Sequence, residues 1–494
     1  MNHVLEILCD YFLPHIGENN FKQKAYYLGY IVFRLLSVHM GIEEPTDRDN
    51  LKYKRIELVG DLLYDLFREY YSIQQRTIHL EFEKRAHYNQ SIYANNLYGL
   101  IHQNYKEIFR ERIVEAGFKK AFKGNWGAHS HTKRIGVLQD LNRLSHNAML
   151  SHLRKTNLPL DPTAKVVGPR VLHSTQWGMF DPIDTPDGGN IGLHKHMSIA
   201  AYITQGYSRE PIIQWMREKV DMKLIEDCIP LVLSTMTKVF VNGLWVGAIT
   251  EPLQTISKFR LYRRNGLIPI YTSISFDYRS NALFIYTDAG RICRPIFYKD
   301  EETNKMSFSN ENIMKRLESG DFKWNELTAG FNTKKIEKFH PNNNKMYELF
   351  ELYDNIESES NPAKLKRFLE DKAIIDYIDT AEEEVALICM DYKKLPENNL
   401  YTHLEIHPSL IFGVMGNQII FPENNQLPRD LFSCGQSKQA VSLYHSNFLT
   451  RIDKMGVVLN YGQIPLLKSR YMKYINNEEH PYGENVIVAI GIYG

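Results

Sequence analysis

The spacing of hydrophobic residues changes along the chain, and this change excludes a uniform architecture. Near the start, apolar residues recur every three to four positions, as from Phe21 to Leu35, which predicts amphipathic helices. Later, KVFVNGLWVG places β-forming residues around Asn242-Gly243, which predicts a hairpin with a two-residue turn. The sequence therefore predicts a mixed α+β fold made of several small modules.

The size and composition are those of a folded chain. Of its 494 residues, 43% are hydrophobic and 24% are charged, which excludes wholesale disorder. No apolar run approaches the length of a membrane span, and Glu6 and Asp10 interrupt the apolar start, which argues against a signal peptide. The five cysteines lie far apart without a C-x-x-C pair. We expect an intracellular protein without a membrane partner, a disulfide framework or a cysteine-based zinc site.

Charge is unevenly distributed although the formal net charge is only +1. Residues 118–170 hold ten Lys or Arg against two acids, whereas residues 351–384 hold eleven Asp or Glu against four Lys or Arg. Such asymmetry is typical of a protein with one face on a polyanion. The charge pattern alone fits two solvated faces equally well.

Other elements follow from local patterns. Residues 298–350 are polar and predict a variable surface insertion. Gly and Pro are dense in residues 167–195, which also contain Trp177 and Phe180, and this texture favours a functional loop surface over a linker. The remaining predictions are interrupted helix over 118–160, strands at 384–390, 419–421 and 485–493, and a second β unit over 282–297 that turns at Asp288-Ala289-Gly290.

Metal chemistry has weak support. His403 and His407 are four residues apart around Glu405, but the order differs from H-E-x-x-H, and Pro408 disfavours a helix through His407. A zinc hydrolase is therefore a minor alternative, and His194-Lys195-His196 is a weaker metal candidate. The three glutamates 382–384 are expected at a solvated strand end rather than around a cation.

Phosphate chemistry has better support in FPENNQLPRDLFSCGQSKQA. Arg429 follows the rigid Pro428, and Lys438 and Gln439 come nine and ten residues later. Arginine offers a planar fork and lysine a point charge to phosphate oxygens, while amides such as that of Gln426 bond bases or sugars. An ordinary surface loop with unremarkable charges remains the alternative.

A series of motifs resembles the second-largest, β-type subunit of multisubunit DNA-dependent RNA polymerases, in the style of the eukaryotic and viral proteins. The resemblance covers nearly the whole chain and is poorest in residues 298–350. The motifs, in order, are LPHIG, KAYYLGY, TDRDN with KRIEL, GNWG, RIGVLQDLNRLSHNAMLSHLRKTNLPL, GPRVLHSTQWGMFDPIDTPDGGNIGLHKHMS, KVFVNGLWVG, IYTDAGRICRP, IDYIDTAEEE, YTHLEIHPSLIFGV, FPENNQLPR, SKQA and PYGENVIVAI.

The resemblance implies a multi-module arrangement. The expected parts are the end of the lobe (1–50), part of the protrusion (51–115), the fork (116–205), external module 1 (206–300), external module 2 with the polar insertion (301–395) and the start of the hybrid-binding region (396–494).

The resemblance also implies roles for individual residues. Arg429 is expected to contact the nucleotide triphosphate, and Lys438 and Gln439 are expected to lie near the RNA end. Of these three, Arg429 and Lys438 are the expected catalytic residues. Asp430 departs from the family pattern, and a carboxylate at this position can pair with Arg429 and weaken its hold on phosphate. The other residues expected to bind nucleotide or nucleic acid are Arg170, His173, Asp184, Asp187, Gln426, Lys133, Arg134, Arg143 and Arg154, with aspartates at 184 and 187 where the family usually has glutamates.

The resemblance implies templated RNA synthesis by a nucleotidyltransferase that depends on Mg²⁺. The Mg²⁺ is expected to be held by the largest subunit. This segment is expected to hold neither Mg²⁺ nor zinc. Expected partners are that subunit, the remaining β-type part, small subunits, DNA template, RNA and nucleoside triphosphates. The chain is interpreted as a split subunit or an incomplete gene product, inactive alone, in the nucleus or cytoplasm, or in a virion or viral factory. A non-catalytic nucleic-acid-binding or assembly module is the alternative.

Overall fold

The computed structural model of the chain describes residues 2–88, 96–109, 112–300, 303–309, 311–331, 369–397 and 400–494. The chain divides into two compact units, of which unit 1 comprises residues 1–56 and 144–494 and unit 2 comprises residues 57–143. None of the helices in these described ranges is both long and apolar enough to cross a membrane.

Helices dominate unit 2 and the start of unit 1. Those of unit 2 are α3 (Val59–Tyr88), α4 (Leu97–Ile108) and α5 (Ile113–Ala121). Those of unit 1 are α1 (Asn2–Glu6), α2 (Phe21–His39), α6 (His146–Leu153), α7 (Glu210–Lys219), α8 (Pro230–Leu233), α9 (Pro252–Arg264), α10 (Glu311–Ser319), α11 (Trp324–Ala329), α12 (Thr380–Glu384), α13 (Leu427–Ser437) and α14 (Tyr471–Tyr474).

All described strands belong to unit 1, which confirms the predicted α+β class. They are β1 (Lys155–Asn157), β2 (His194–His196), β3 (Tyr202–Ile203), β4 (Lys223–Leu224), β5 (Thr237–Val241), β6 (Leu244–Ile249), β7 (Ser273–Asp277), β8 (Ala282–Tyr286), β9 (Ile292–Tyr298), β10 (Ile375–Asp379), β11 (Ile388–Cys389) and β12 (His403–Leu404).

The first large sheet has the strand order β4-β6-β5-β8-β7. Its main apolar cluster includes Trp215 of α7 and Phe259 and Tyr262 of α9, which pack with Val239 of β5 and Leu283 of β8. The predicted hairpin is confirmed: β5 and β6 are antiparallel, and Asn242 and Gly243 both have positive φ, +50° and +79°. This pair of left-handed residues gives the tight turn that matches the twist of paired strands.

Replacing Gly243 with alanine is expected to destabilise unit 1 by about 1–2 kcal/mol, the cost of placing a Cβ in the left-handed region. The nearest atom to an added Cβ is His15 Cδ2 at 3.8 Å, so backbone strain rather than collision accounts for the loss. Urea unfolding of the chain measures the change. Gly435→Ala, where an added Cβ meets nothing within 4 Å and φ is not positive, is the control. An equal stability of G243A and wild type would contradict the turn assignment.

The second large sheet is centred on β9. Strand β10 pairs with one edge of β9, and β12 and β3 pair along the other. The predicted β unit over 282–297 does contain two strands and the turn at Asp288-Ala289-Gly290, but the strands enter different sheets. Gly290 has φ +83°, and a Cβ there would lie 2.4 Å from the carbonyl oxygen of Ile56, so the backbone approach requires glycine.

Several predicted elements are wrong or only partly present. Helix over 118–160 is interrupted by irregular chain between α5 and α6, because the glycines at 124 and 127 adopt φ near +100°. Only Ile388–Cys389 of the predicted strand 384–390 is a strand. Residues 419–421 are bends, and residues 485–493 carry no strand and are exposed, since no described strand runs beside them. The polar insertion over 298–350 falls partly outside the described residues.

A network of buried or nearly buried ion pairs lies beside β9 and β10. Arg294 donates to Glu383 Oε1 at 2.6 Å and to Glu405 Oε2 at 2.7 Å. Glu405 also accepts the Trp177 indole N–H at 3.3 Å, which ties the Gly- and Pro-rich segment to this sheet. The other members are Arg263, Arg264, Arg291, Asp376, Asp379 and Glu382.

The network corrects the expectation for the three glutamates 382–384. They lie on α12 rather than at a strand end, and each bonds a cation of this chain: Glu382 with Arg263 at 2.7 Å, Glu383 with Arg294, and Glu384 with Lys52 at 2.8 Å. Buried carboxylates persist when paired with arginine, so Glu382 and Glu383 are structural, whereas Glu384 is exposed and pairs with a lysine.

Candidate functional site around Lys438

Lys438 immediately follows α13, and its side chain meets a buried carboxylate from the Gly- and Pro-rich segment. The ammonium Nζ lies 2.7 Å from Asp184 Oδ1, and Asp184 is 2% exposed whereas the lysine side chain is 22% exposed. The lysine carbonyl accepts a hydrogen bond of 2.6 Å from Ser145 Oγ, and the same hydroxyl caps α6 by accepting from Ala148 N–H. Both ends of this lysine are therefore fixed.

A histidine completes the surroundings of the ammonium. His196 Nε2 lies 3.4 Å from Lys438 Nζ, and Nδ1 lies 2.9 Å from the carbonyl oxygen of Asp184. The antiparallel pairing of β1 with β2 places Lys155 directly opposite His196. Burial lowers the pKa of His196, and the positive charges of Lys438 and Lys155 lower it further while Asp184 opposes them. The imidazole is therefore neutral at pH 7.

Asp181 anchors the loop on the other side of Asp184. Its carboxylate accepts backbone N–H groups of Ile183 at 3.0 Å and Gly413 at 2.7 Å. Burial and, next, the negative charge of Asp184 raise the pKa of Asp181 to about 7. A proton taken up here near neutrality removes a negative charge next to Asp184.

Replacing Asp181 with asparagine is expected to remove a pH dependence of stability. The pKa of Asp181 in the folded chain, about 7, exceeds the ordinary carboxyl value of 3.8, so the folded state binds more protons between pH 4 and 7. The contribution of this group is complete below pH 4 and is lost as pH rises through 7. Urea unfolding at several pH values should show a slope that is less negative in D181N than in wild type, by up to about 1.4 kcal/mol per pH unit. An unchanged slope would contradict the assignment.

Arg429 lies in the first turn of α13 and does not reach this cluster. Nine residues separate it from Lys438, about 14 Å along the helix axis and on the opposite side of the helix. Its guanidinium is exposed and lies 5.7 Å from the ring of Phe432. Asp430 does not pair with Arg429, because its side chain turns inward and is 3% exposed. Gln426, which precedes α13, and Gln439 are both exposed.

Arg170, His173 and Asp187 lie within the Gly- and Pro-rich segment and bond to partners other than Lys438. Arg170 donates to the carbonyl oxygens of Gly189, Ile191 and Pro162 at 2.6–3.0 Å. His173 Nε2 lies 2.7 Å from Asp47 Oδ2. Asp187 is exposed and accepts the Gly188 N–H. Of the predicted site residues, the structure thus joins Asp184 to Lys438, whereas the bonds of these three residues go to other partners.

The predicted basic residues differ in their surroundings. Arg154, in unit 1, donates to the Ser198 carbonyl at 2.6 Å, so its guanidinium supports the backbone beside β2. In unit 2, Arg134 pairs with Glu57 at 2.6 Å on the surface, Lys133 is exposed and Arg143 is half-buried. Exposed cations such as Lys133 are the ones available to phosphate groups.

The geometry does not favour the hydrolase alternative. His403 is buried on β12, and burial, with the nearby charge of Arg260, lowers its pKa to about 3. His407 is exposed and accepts the Ser409 N–H, so the two histidines share no helical face. Within the described ranges, no three His, Cys, Asp or Glu side chains come together in a way that suits a metal ion. The carboxylates beside Lys438 are likewise committed to the ammonium and to backbone N–H groups.

Five models of RNA polymerase Rpb2 domains match the chain in consecutive order and together cover more than half of it. They are domain 2 at residues 3–57, domain 3 at 139–203, domain 4 at 239–300, domain 5 at 366–408 and domain 6 at 415–494.

The chain belongs to the family of second-largest RNA polymerase subunits. Asp184 and His196 fall in the stretch matched by domain 3 of this family, and Lys438 in the stretch matched by domain 6. The contact between them therefore joins two segments of the family fold.

Curated relatives support the same family. The DNA-directed RNA polymerase II subunit RPB2 of Encephalitozoon cuniculi is 35% identical over 99% of this chain and 39% of its own length. DNA-directed RNA polymerase II subunit 2 of Arabidopsis thaliana is 33% identical over 100% of this chain and 38% of its own length. DNA-directed RNA polymerase subunit 2 of Acanthamoeba polyphaga mimivirus is 30% identical over 99% of this chain and 40% of its own length. The chain spans about two fifths of the length of these relatives.

Three residues of the site were missed by sequence reasoning. His196 was considered only as part of a metal motif, although alternation along a strand puts His194 and His196 on one face. Ser145 could have been recognised, because it precedes the helix α6 and serine is a preferred N-cap. Nothing in the sequence distinguishes Asp181 from the neighbouring acids.

Proposed function

We propose that this chain contributes to templated RNA synthesis as part of a DNA-directed RNA polymerase, with Lys438 presenting a positive charge to the RNA end or to a phosphate group. The observation that carries the proposal is the Lys438 ammonium, held 2.7 Å from a buried Asp184 while part of the lysine side chain remains exposed. A fixed ammonium with an open side suits a phosphate oxygen, because it needs no reorganisation on binding.

The reaction requires positive charge beyond what this cluster supplies. Nucleotidyl transfer is supported by Mg²⁺, which neutralises phosphate charge in the transition state. The carboxylates beside Lys438 already have partners, so we place the metal on the largest subunit. The partners proposed for this chain are that subunit, the remaining β-type segment, small subunits, the DNA template, RNA and nucleoside triphosphates, with the exposed Lys133 contacting nucleic-acid phosphates.

The proposal is tested by reconstitution with the other polymerase polypeptides on a primed template. Polymerase that contains the chain should extend the RNA with nucleotides and Mg²⁺, whereas the chain alone and the assembly without it should not. Extension by the assembly without the chain would overturn the proposal. Binding of template by an assembly that never extends RNA would instead favour a non-catalytic nucleic-acid-binding module.

Replacing Arg429 with alanine is expected to raise the nucleotide concentration needed for half-maximal extension by about 10- to 100-fold, the value of a hydrogen bond to a charged group. The guanidinium is exposed at the start of α13 and is not in an ion pair with another described residue, so it is free to bind a triphosphate. Binding of template DNA should be unchanged.

Arg217→Ala removes another exposed arginine, on α7, and is the matched control for Arg429→Ala. The variant Arg429→Lys keeps the charge but loses the planar fork, so an intermediate effect is expected. Unchanged nucleotide use in Arg429→Ala would contradict the proposed contact of this residue with the triphosphate.

A further inference from the structure

The neutral imidazole of His196 lies beside the Lys438 ammonium in a buried cluster of charges, and its hydrogen bonds determine its tautomer. His196 is 5% exposed and approaches Lys438 Nζ with Nε2 at 3.4 Å. An ammonium only donates hydrogen bonds, so Nε2 must be the acceptor. The ring proton therefore resides on Nδ1, which faces the carbonyl oxygen of Asp184 at 2.9 Å and its Oδ1 at 3.3 Å. One tautomer satisfies both sides of the ring.

We infer that His196 is a positioning residue for Lys438, which it holds together with Asp184 only while its imidazole is neutral. The inference rests on the proposed function of Lys438 but concerns a different residue. Protonation of Nε2 replaces an acceptor with a positive charge and a donor at 3.4 Å from the ammonium. Repulsion at that distance in a buried site displaces the lysine from Asp184, because the lysine side chain is 22% exposed and can turn towards water whereas the His196 side chain is 6% exposed.

The groups around the ring support this behaviour. Asp184 and Lys438 contact it, and Lys155 faces it across the β1–β2 ribbon. Asp181 and the thiol of Cys434 lie behind Asp184, and burial raises the pKa of that thiol, so it stays neutral. Burial lowers the pKa of His196 itself, which keeps the ring neutral at pH 7 and allows release of Lys438 only in acid.

The position of Lys438 can be measured without polymerase activity. Acetic anhydride labels exposed lysines faster than lysines held in ion pairs, and mass spectrometry of the 494-residue chain gives the rate at each site. Lys393, which is exposed, serves as the internal reference at every pH. In wild type, we expect the rate of Lys438 relative to Lys393 to be about tenfold low at pH 8 and to rise several-fold by pH 5.5, given that each factor of ten corresponds to about 1.4 kcal/mol.

His196→Gln separates this inference from other causes. The glutamine oxygen can reach the position of Nε2 and accept from the ammonium, but it does not titrate, so the ratio should stay low at every pH. His196→Ala should raise the ratio at pH 8. His194→Gln changes the neighbouring histidine on the same face of β2 and should behave as wild type.

Two results would overturn the inference: a wild-type ratio that is flat with pH, or a pH dependence that persists in His196→Gln, which would assign it to Asp181, whose pKa of about 7 lies in the same pH range. The reconstituted polymerase gives a separate readout, in which the ratio of the extension rate at pH 5.5 to that at pH 8 should be higher in His196→Gln than in wild type. If the labelling rates behave as expected but a Lys438 variant extends RNA at the wild-type rate, the proposed function is contradicted and the inference about His196 is not.

Discussion

Replacing Lys438 with alanine is expected to lower the rate of nucleotide addition by about 10²- to 10³-fold, the usual effect of deleting one preorganised charge or donor at a reacting centre. The expectation follows from geometry: the ammonium is fixed by Asp184 at 2.7 Å, and the lysine backbone is fixed by Ser145. Single-turnover extension of a primed template by the reconstituted polymerase measures the rate.

The lysine variants need a test of folding, because alanine at 438 leaves Asp184 buried without its cation. Lys438→Arg keeps the charge with a different shape and should retain more activity than Lys438→Ala. Lys393→Ala removes an exposed lysine of the same unit and should leave the rate unchanged. Equal rates for Lys438→Ala and wild type, in chains of equal stability, would refute the proposed role.

Replacing Arg294 with methionine is expected to destabilise unit 1 by about 3–5 kcal/mol, the cost of leaving buried charge uncompensated. This one guanidinium bonds both Glu383 and Glu405, so its loss leaves two carboxylates without their cation. The free energy of unfolding from urea titration measures the effect. The double variant Arg294→Met with Glu405→Gln should recover part of the loss.

Lys22→Met is the control for Arg294→Met, because Lys22 forms a surface pair with Glu226 at 3.9 Å. Exposed pairs contribute at most about 1 kcal/mol, so a small change is expected. A similar loss in both variants would show that burial does not determine the value of the Arg294 pairs.

Local sequence signals predicted those elements whose stability is local. The turn at Asn242-Gly243 and the helix from Phe21 were found because backbone preference and apolar spacing specify them directly. The strand expected at 485–493 was wrong, since an apolar run becomes a strand only beside a partner. The buried pairs of Glu382 and Glu383 were missed because their arginines lie 119 and 89 residues away.

The cluster around Lys438 was predictable in part. The resemblance identified Asp184 and Lys438 as site residues, and the structure shows them in contact across 254 residues of sequence. The place of His196 depends on the pairing of β2 with β1, which no local pattern reports. The distance between Arg429 and Lys438 follows from the helix that joins them, whereas the sequence suggested a loop. The roles assigned to these residues stay predictions until the variants are measured.

The turn that joins β8 of one sheet to β9 of the other affects how unit 1 unfolds locally. The turn between these strands is bonded on both sides, with Gly290 N–H donating to the Thr204 carbonyl and Ile56 N–H donating to the Gly290 carbonyl. The turn therefore cannot move away from β3 without breaking the bond to Thr204, or from the chain at residue 56 without breaking the bond to Ile56. Amide hydrogens of β8 and β9 should exchange with deuterium as one cooperative group, at a common rate of opening.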